Sequence, residues 1–352
     1  MRHQTFMIIV AMGLSLSLTA AAASIKKLVL QRKPEPKEQA FTILVPKGWT
    51  VEGGIYWVHP DTAGGPANSV EKKCDLTIKR DSAGTMMLRL LPEVYYADSA
   101  RGAGLYLFPY GSNYQGMVCA PLISAQQFLN QAVRLLRPQA RDLKVIEQKS
   151  LPEVARAYGQ RTANLPFGIR FNYDAAIVTF AYEENGTHYK ERMFTIIEDR
   201  GQIAGGQWCN RSTIIARTPA DEFDQWEPVF SMMLNSIEID TQWLLKEIKE
   251  QLERAGIIIS TQKEIQEIER QIAEHKQKTN AEIQNDMFLT LTGQAEFVDP
   301  YTKKVMIGSD AFKHQWINPS GEVVVSNDDN YSPNHDVEIN RSDFKEMSRR
   351  KR

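Results

Sequence analysis

The run 173–197, YDAAIVTFAYEENGTHYKERMFTII, constrains the fold more than any other stretch. β-Branched and aromatic residues lie on both sides of Asn185-Gly186. That dipeptide tolerates the positive φ which both central positions of a type I′ turn demand. The sequence therefore predicts a long antiparallel hairpin. Further strand-like runs surround it: FTILVPKGW at 41–49, IYWVH, DLTIKR, MMLRLL, LKVIEQK and GGQWCNRSTIIAR. In the first of these Pro46 stops the strand and a Lys47-Gly48 turn folds Trp49 back onto the core. Two segments change period. From Ser124 to Arg137 the apolar residues Phe128, Leu129, Ala132, Val133, Leu135 and Leu136 form one helical face, opened by Ser124 and ended before Pro138. Over 221–237, Phe223, Trp226, Phe230, Met233 and Leu234 form a second.

This order resembles the PsbP-like or MOG-type α/β/α sandwich over residues 41–240: FTILVPKGW first, then a two-strand hairpin, a strand ending in Arg-Thr-Pro, and EFDQWEPVFSMMLNSIEI last. The resemblance implies an α+β fold, one antiparallel sheet flanked by helices, in a family whose members mostly bind partners without doing chemistry. The stretch 53–117 departs from the compact family pattern, so no family binding surface carries over.

Residues 241–290 read as a helical connector. Leu245, Ile248, Leu252, Ala255 and Ile259 make one stripe, and Ile265, Ile268 and Ile272 a second, with a break near 256–261. Self-association through this segment and packing of a helical pair on the sandwich are the two readings.

Residues 291–352 read as a small β-rich module. In HQWINPSGEVVVSNDDNYSPN, the tetrapeptide Asn318-Pro319-Ser320-Gly321 is a turn by residue chemistry, which makes HQWI and EVVVS the arms of a hairpin and NDDNYSPN the loop leaving it. The unit resembles a C-terminal module of secreted bacterial proteins and is expected to be separable and to carry a partner-binding surface, with Trp316, Asp328 and Tyr331 as its contact residues. The same loop offers oxygen ligands at Asn327, Asp329, Asp336 and Glu338, the last at the twelfth position from Asn327. It lacks the sixth-position glycine of a calcium loop, so the metal assignment stays open.

The N-terminus places Arg2 and His3 before an apolar run from Phe6 to Leu18 and small residues Ala20 to Ala23, the pattern of a secretory signal spanning 1–23 and cleaved before Ser24. A Pro- and charge-rich linker over 24–40 follows. The expected protein is periplasmic or secreted, without a transmembrane anchor after cleavage. In an oxidising compartment three cysteines leave one unpaired, and the pair Cys74–Cys119 is favoured over any pair with Cys209; three small buried side chains without a bridge are the other reading.

Lys+Arg 42 against Asp+Glu 43 gives a net charge of −1, which provides no overall basic field for nucleic acid. No G-x-S-x-G, Walker or G-x-G-x-x-G motif occurs, and Ser69-x-x-Lys72 and Ser260-x-x-Lys263 lack the companion motifs that would give S-x-x-K meaning. No catalytic residue and no cofactor is assigned. The expectation is a non-enzymatic module that binds or scaffolds an envelope or extracellular protein; the alternative is a secreted hydrolase whose site assembles only in the fold.

Overall fold

The computed structural model describes residues 25, 27–102, 108–162, 171–254 and 294–350. The segment expected to be a signal sequence and the second helical stripe lie outside the described residues. Strands β1 (Lys27–Pro34), β2 (Phe41–Pro46) and β3 (Thr50–Tyr56) precede a short helix α1 (Pro60–Ala63). Then come β4 (Lys73–Lys79), β5 (Met87–Leu91), β6 (Tyr95–Ala97), β7 (Asn113–Tyr114) and β8 (Met117–Cys119). Helix α2 (Ala125–Leu136) starts where Ser124 predicts. Gln127 N–H donates to Ser124 Oγ at 3.2 Å and Ser124 N–H donates to Gln127 Oε1 at 2.9 Å, a reciprocal capping box. After β9 (Arg141–Ser150) and α3 (Pro152–Thr162) comes the predicted hairpin, β10 (Asn172–Glu184) and β11 (Thr187–Asp199), with Asn185 at φ 52° and Gly186 at φ 77°. Strand β12 (Gln207–Pro219), helix α4 (Phe223–Asn235), β13 (Glu238–Ile239) and α5 (Thr241–Arg254) complete this part. The C-terminal strands are β14 (Gln294–Val298), β15 (Val305–Ser309), β16 (His314–Ile317), β17 (Val323–Ser326), β18 (Lys345–Glu346) and β19 (Ser348–Arg349).

The expected α/β/α sandwich does not form. The described residues build three largely antiparallel sheets, and the largest curves into a half-barrel in the order β3-β4-β5-β12-β11-β10-β9. Period-2 alternation in its strands divides two cores. Leu129 and Val133 of α2 pack on Val178, Phe180, Met193 and Ile215 on one face. On the other face Ile177, Phe194, Ile196 and Ile214 meet Leu30, Ile43 and Val45 of β1 and β2, Phe230 of α4, and Phe297, Val323 and Val325 of the C-terminal strands. Strands of the other two sheets thus help to close this face, where the sandwich pattern requires helices. Trp49 does fold back on this core, 5.1 Å from the Trp226 ring.

Two boundaries also change. The segment 24–40, expected as a linker, contains β1, which pairs with β2 on one side and with β17 on the other through Lys27↔Ser326 to Leu30↔Val323. Residues 291–352, expected as a separable module, supply β17, β16 and β18 to the same sheet as β1 and β2 and share the central core. Short-range patterns could locate these strands but not their partners, which lie almost three hundred positions apart in sequence.

Buried polar groups hold this junction. Glu35, fully buried, accepts from Ile55 N–H at 2.7 Å, Glu38 N–H at 2.7 Å and Lys37 N–H at 3.0 Å, so one carboxylate clamps the β1–β2 turn to β3. A Cβ on Gly54 would lie 2.0 Å from Glu35 Oε1, which is why a glycine stands there. Gly308 on β15 is similarly confined: an added Cβ would lie 2.4 Å from Gln315 Oε1 and 2.7 Å from the Phe297 ring. Gly308→Ala is expected to cost about 1–3 kcal/mol by overpacking, read as a lower denaturant midpoint at unchanged slope. An unchanged midpoint would show that β15 yields freely.

Candidate functional site

The densest charged chemistry lies inside the molecule, around Arg211. This residue is the extra one of a β-bulge: Ile196 pairs with Ser212 and Ile197 with Asn210, which leaves Arg211 unpaired in the ladder and re-aims its side chain. Its guanidinium donates to Glu93 Oε2 at 2.8 Å, Glu71 Oε2 at 3.1 Å and both oxygens of Glu198 at 3.0 and 2.8 Å. Arg200 donates to Glu198 Oε1 at 2.8 Å and to the Tyr95 hydroxyl at 2.7 Å, and that hydroxyl donates to Glu71 Oε2 at 2.9 Å. Gln251 of α5 donates to Glu71 Oε1 at 3.1 Å. The Lys73 ammonium sits 4.8 Å from the Tyr95 ring centroid.

Burial and charge pull these groups apart. Burial opposes ionisation of Glu198, but Arg211 and Arg200 overcome it and bring its carboxyl down to about 2. Glu93, where burial dominates over Arg211, is pushed up to about 8. Burial lowers Lys73 and raises the Cys209 thiol and, strongly, the Tyr95 phenol. The thiol and the phenol are therefore held in their protonated, unreactive forms at neutral pH. Strand patterns hid this cluster because charged residues in QWCNRSTIIAR read as the solvent face of an alternating strand. The available signal was the unbroken polar run Asn210-Arg211-Ser212-Thr213, which strand alternation cannot place on one solvent face.

Helix α5 is tied to the body mainly by polar contacts, and does not stand apart as a connector. Trp243 Nε1 donates to Glu38 Oε2 at 2.7 Å, Arg254 Nε donates to the Val70 carbonyl at 2.7 Å, and Lys72 lies 3.4 Å from Glu247.

The metal-ligand candidates are separated by cations. Lys27 Nζ lies 2.7 Å from Asp336 and 2.6 Å from Glu338, while Asp329 pairs with Lys313 at 3.0 Å and Asn327 Oδ1 accepts from Lys313 N–H at 2.9 Å. Asp336 and Glu338 thus clamp β1 through Lys27, and the four candidates do not converge. The disulfide assignment is overturned as well: Cys74, Cys119 and Cys209 are all free and buried. Cys74 faces the central core, whereas Cys119 and Cys209 belong to another cluster. Strand β6 intervenes between the latter two, with Cys209 opposite Tyr95 and Cys119 opposite Ala97. Two strand spacings of about 4.8 Å exceed the Cα separation a disulfide spans.

Of the three predicted contact residues, Trp316 is buried against Val324 and Phe344, and Tyr331 packs edge-on to it at 5.7 Å while its hydroxyl donates to Asp336 Oδ2 at 2.8 Å. Asp328 is exposed. Trp316 and Tyr331 are core of the C-terminal region. Beside them lies an open cleft of about 550 Å³ with Phe297, Phe312 and Met347 as its floor and Asp310, Lys313, Glu346 and Arg349 on its rim. The chain crosses here from one sheet to another. Lys345–Glu346 ends the sheet of β16, and Ser348–Arg349 ends the sheet of β14. His314 bridges the rim, 2.7 Å from Glu346 and 3.2 Å from Asp329, and these hydrogen bonds raise its pKa.

No family model matches the chain, and no curated protein matches it. Among solved structures it is similar to the cyanobacterial PsbP (CyanoP) of Synechocystis sp. PCC 6803, at 12% identity over 64% of this chain and 98% of that one, with a TM-score of 0.23. A Bacteroides thetaiotaomicron VPI-5482 protein is similar at 10% identity over 81% of this chain and 87% of that one, with a TM-score of 0.21. At these TM-scores neither likeness carries a conclusion about fold or function. No helix among the described residues is long and apolar enough to cross a membrane.

Proposed function

We propose that this chain is a non-catalytic binding protein, exported by its N-terminal signal, which takes an extended segment of an envelope or extracellular protein into the cleft at residues 310–313 and 346–349. The observation that carries the reading is the combination in that cleft of an apolar floor, a rim bearing two acidic and two basic side chains, and terminal strands of two sheets. Its volume falls in the range of about 300–1,000 Å³ typical of binding clefts. An open strand edge offers a peptide main-chain hydrogen bonds, while the floor takes alternate side chains. Burial of the perturbed carboxylates, thiol and phenol around Arg211 fits a framework role better than catalysis.

A photocrosslinking residue at Lys313 or Arg349, in protein exported by its native host, is expected to give one discrete adduct that the same residue at the exposed Asp61 does not give. The charge swap Glu346→Arg with Arg349→Glu is expected to suppress that adduct. Equal adducts from both positions, or an adduct indifferent to the swap, would overturn the cleft. Turnover of ester, peptide or glycoside reporters by the pure protein would favour the hydrolase alternative.

A further inference from the structure

Strand β9 ends the large sheet, and among the described residues no strand pairs with its outer edge. Edge strands are commonly protected by brevity, proline or charge directed along the open ladder. β9 is ten residues long, contains no proline, and exposes two adjacent apolar side chains at its midpoint, Val145 at 46% and Ile146 at 50%. We propose that this edge pairs with the same edge of a second copy of the chain, antiparallel about a two-fold axis perpendicular to the sheet, so that the large sheets of the two copies become continuous.

The charge pattern of β9, RDLKVIEQKS, selects both the partner and the register. Pairing centred between Val145 and Ile146 sets each Lys144 opposite the partner's Glu147 and each Val145 opposite the partner's Ile146, while Asp142, at φ 51° in a second register shift of β9, stands outside the regular ladder. Sliding by two residues one way sets Lys144 against Lys149. Sliding two the other way sets Lys144 against Val145 and takes it away from Glu147. Like charges directly opposite destabilise a ladder, and of these three registers only the central one sets opposite charges face to face. An isologous contact makes each of these pairs twice.

A bulge makes this register sterically consistent. A two-fold axis perpendicular to a sheet brings together side chains on the same face, and in a regular strand residues three apart point to opposite faces. Here Val145 opposes Phe180 and Glu147 opposes Thr179, so Ile146 is an extra residue. Lys144 opposes Ala181, and positions 181 and 179 share a face of β10. The extra residue therefore brings Lys144 and Glu147 to one face. Arg192 of β11 at 2.8 Å and the Thr179 hydroxyl of β10 at 3.3 Å hold Oε2 of Glu147 from the inner side of the sheet, so the partner's Lys144 would meet a carboxylate that already has one cation.

The test is sedimentation equilibrium of the full exported chain together with two variants at exposed positions. Wild type is expected to sediment at twice the monomer mass. Lys144→Glu sets two carboxylates against each other on both sides of the axis and should weaken the dimer on the order of tenfold or more. Val145→Lys with Ile146→Lys should yield monomer. Register is read independently: under mild oxidation Val145→Cys, near the axis, should crosslink two copies, whereas Ser150→Cys, at the end of the ladder, should not. A monomeric wild type overturns the proposal. So does a dimer that ignores Lys144→Glu and fails to crosslink through Val145→Cys, since its interface must lie elsewhere, the helical segment after α5 included. Neither result bears on the cleft, whose residues are unaltered in these variants.

Discussion

Removing residues 294–352 is expected to abolish the cooperative thermal transition of the whole protein. β17 is the neighbour of β1, and Phe297, Phe312, Ile317, Val323, Val325 and Met347 contribute to the core that also holds Ile43 and Phe230. Each fully buried apolar side chain of this size is worth about 1.5–3 kcal/mol. Exposing their partners therefore costs on the order of 10 kcal/mol, comparable to the whole stability of a domain, about 5–15 kcal/mol. Lys27 would also lose Asp336 and Glu338. Circular dichroism melting of the truncated protein checks this. A sharp transition near the full-length temperature would mean that the C-terminal region is an independent module after all.

Arg211→Leu should be among the most damaging single substitutions, costing about 3–5 kcal/mol, because it strips the cation from Glu71, Glu93 and Glu198 at once and leaves buried charge uncompensated. The carboxylates themselves should behave unequally. Glu198→Gln removes an ionised group held by two arginines and should be severe. Glu93→Gln replaces a carboxyl that already prefers its proton and whose Oε1 has no hydrogen-bond partner, so it should be mild at neutral pH. The pH dependence follows from the directions of the shifts. Glu198 is depressed to about 2, so its contribution is present above the ordinary carboxylate range and is lost as pH falls from about 4.5 toward 2, a loss on the order of 3 kcal/mol. Glu93 is raised, so its contribution runs the other way: stability is lost as pH rises from about 4.5 through about 8, and Glu93→Gln should flatten that limb. Denaturant midpoints measured across this range decide it. Equal losses for Glu198→Gln and Glu93→Gln would show that the two carboxylates share one environment.

Local chemistry made several elements legible. Asn185-Gly186 specified the hairpin because few residues accept positive φ in succession, and Ser124 with Gln127 specified the start of α2 because they satisfy each other's backbone N–H groups. Trp49 was readable as core from the turn before it. The candidate site was much less legible. Trp316 and Tyr331 stood out as aromatic residues in a polar loop, yet they pack inward on Val324 and Phe344. The acidic residues after Asn327 invited a metal, yet Lys27, some three hundred positions earlier, supplies the cation for two of them.

By itself the sequence determined where strands and helices form, since alternation, turn residues and caps act within a few positions and the backbone must satisfy its own hydrogen bonds there. Only the tertiary structure decided which strands meet. The pairing of β1 with β17, the sharing of one core by both ends of the chain, and the gathering of Glu71, Glu93, Glu198 and Arg211 all depend on segments distant along the chain. Apolar burial drives such contacts without direction, and no residue in a short window carries the address of its partner.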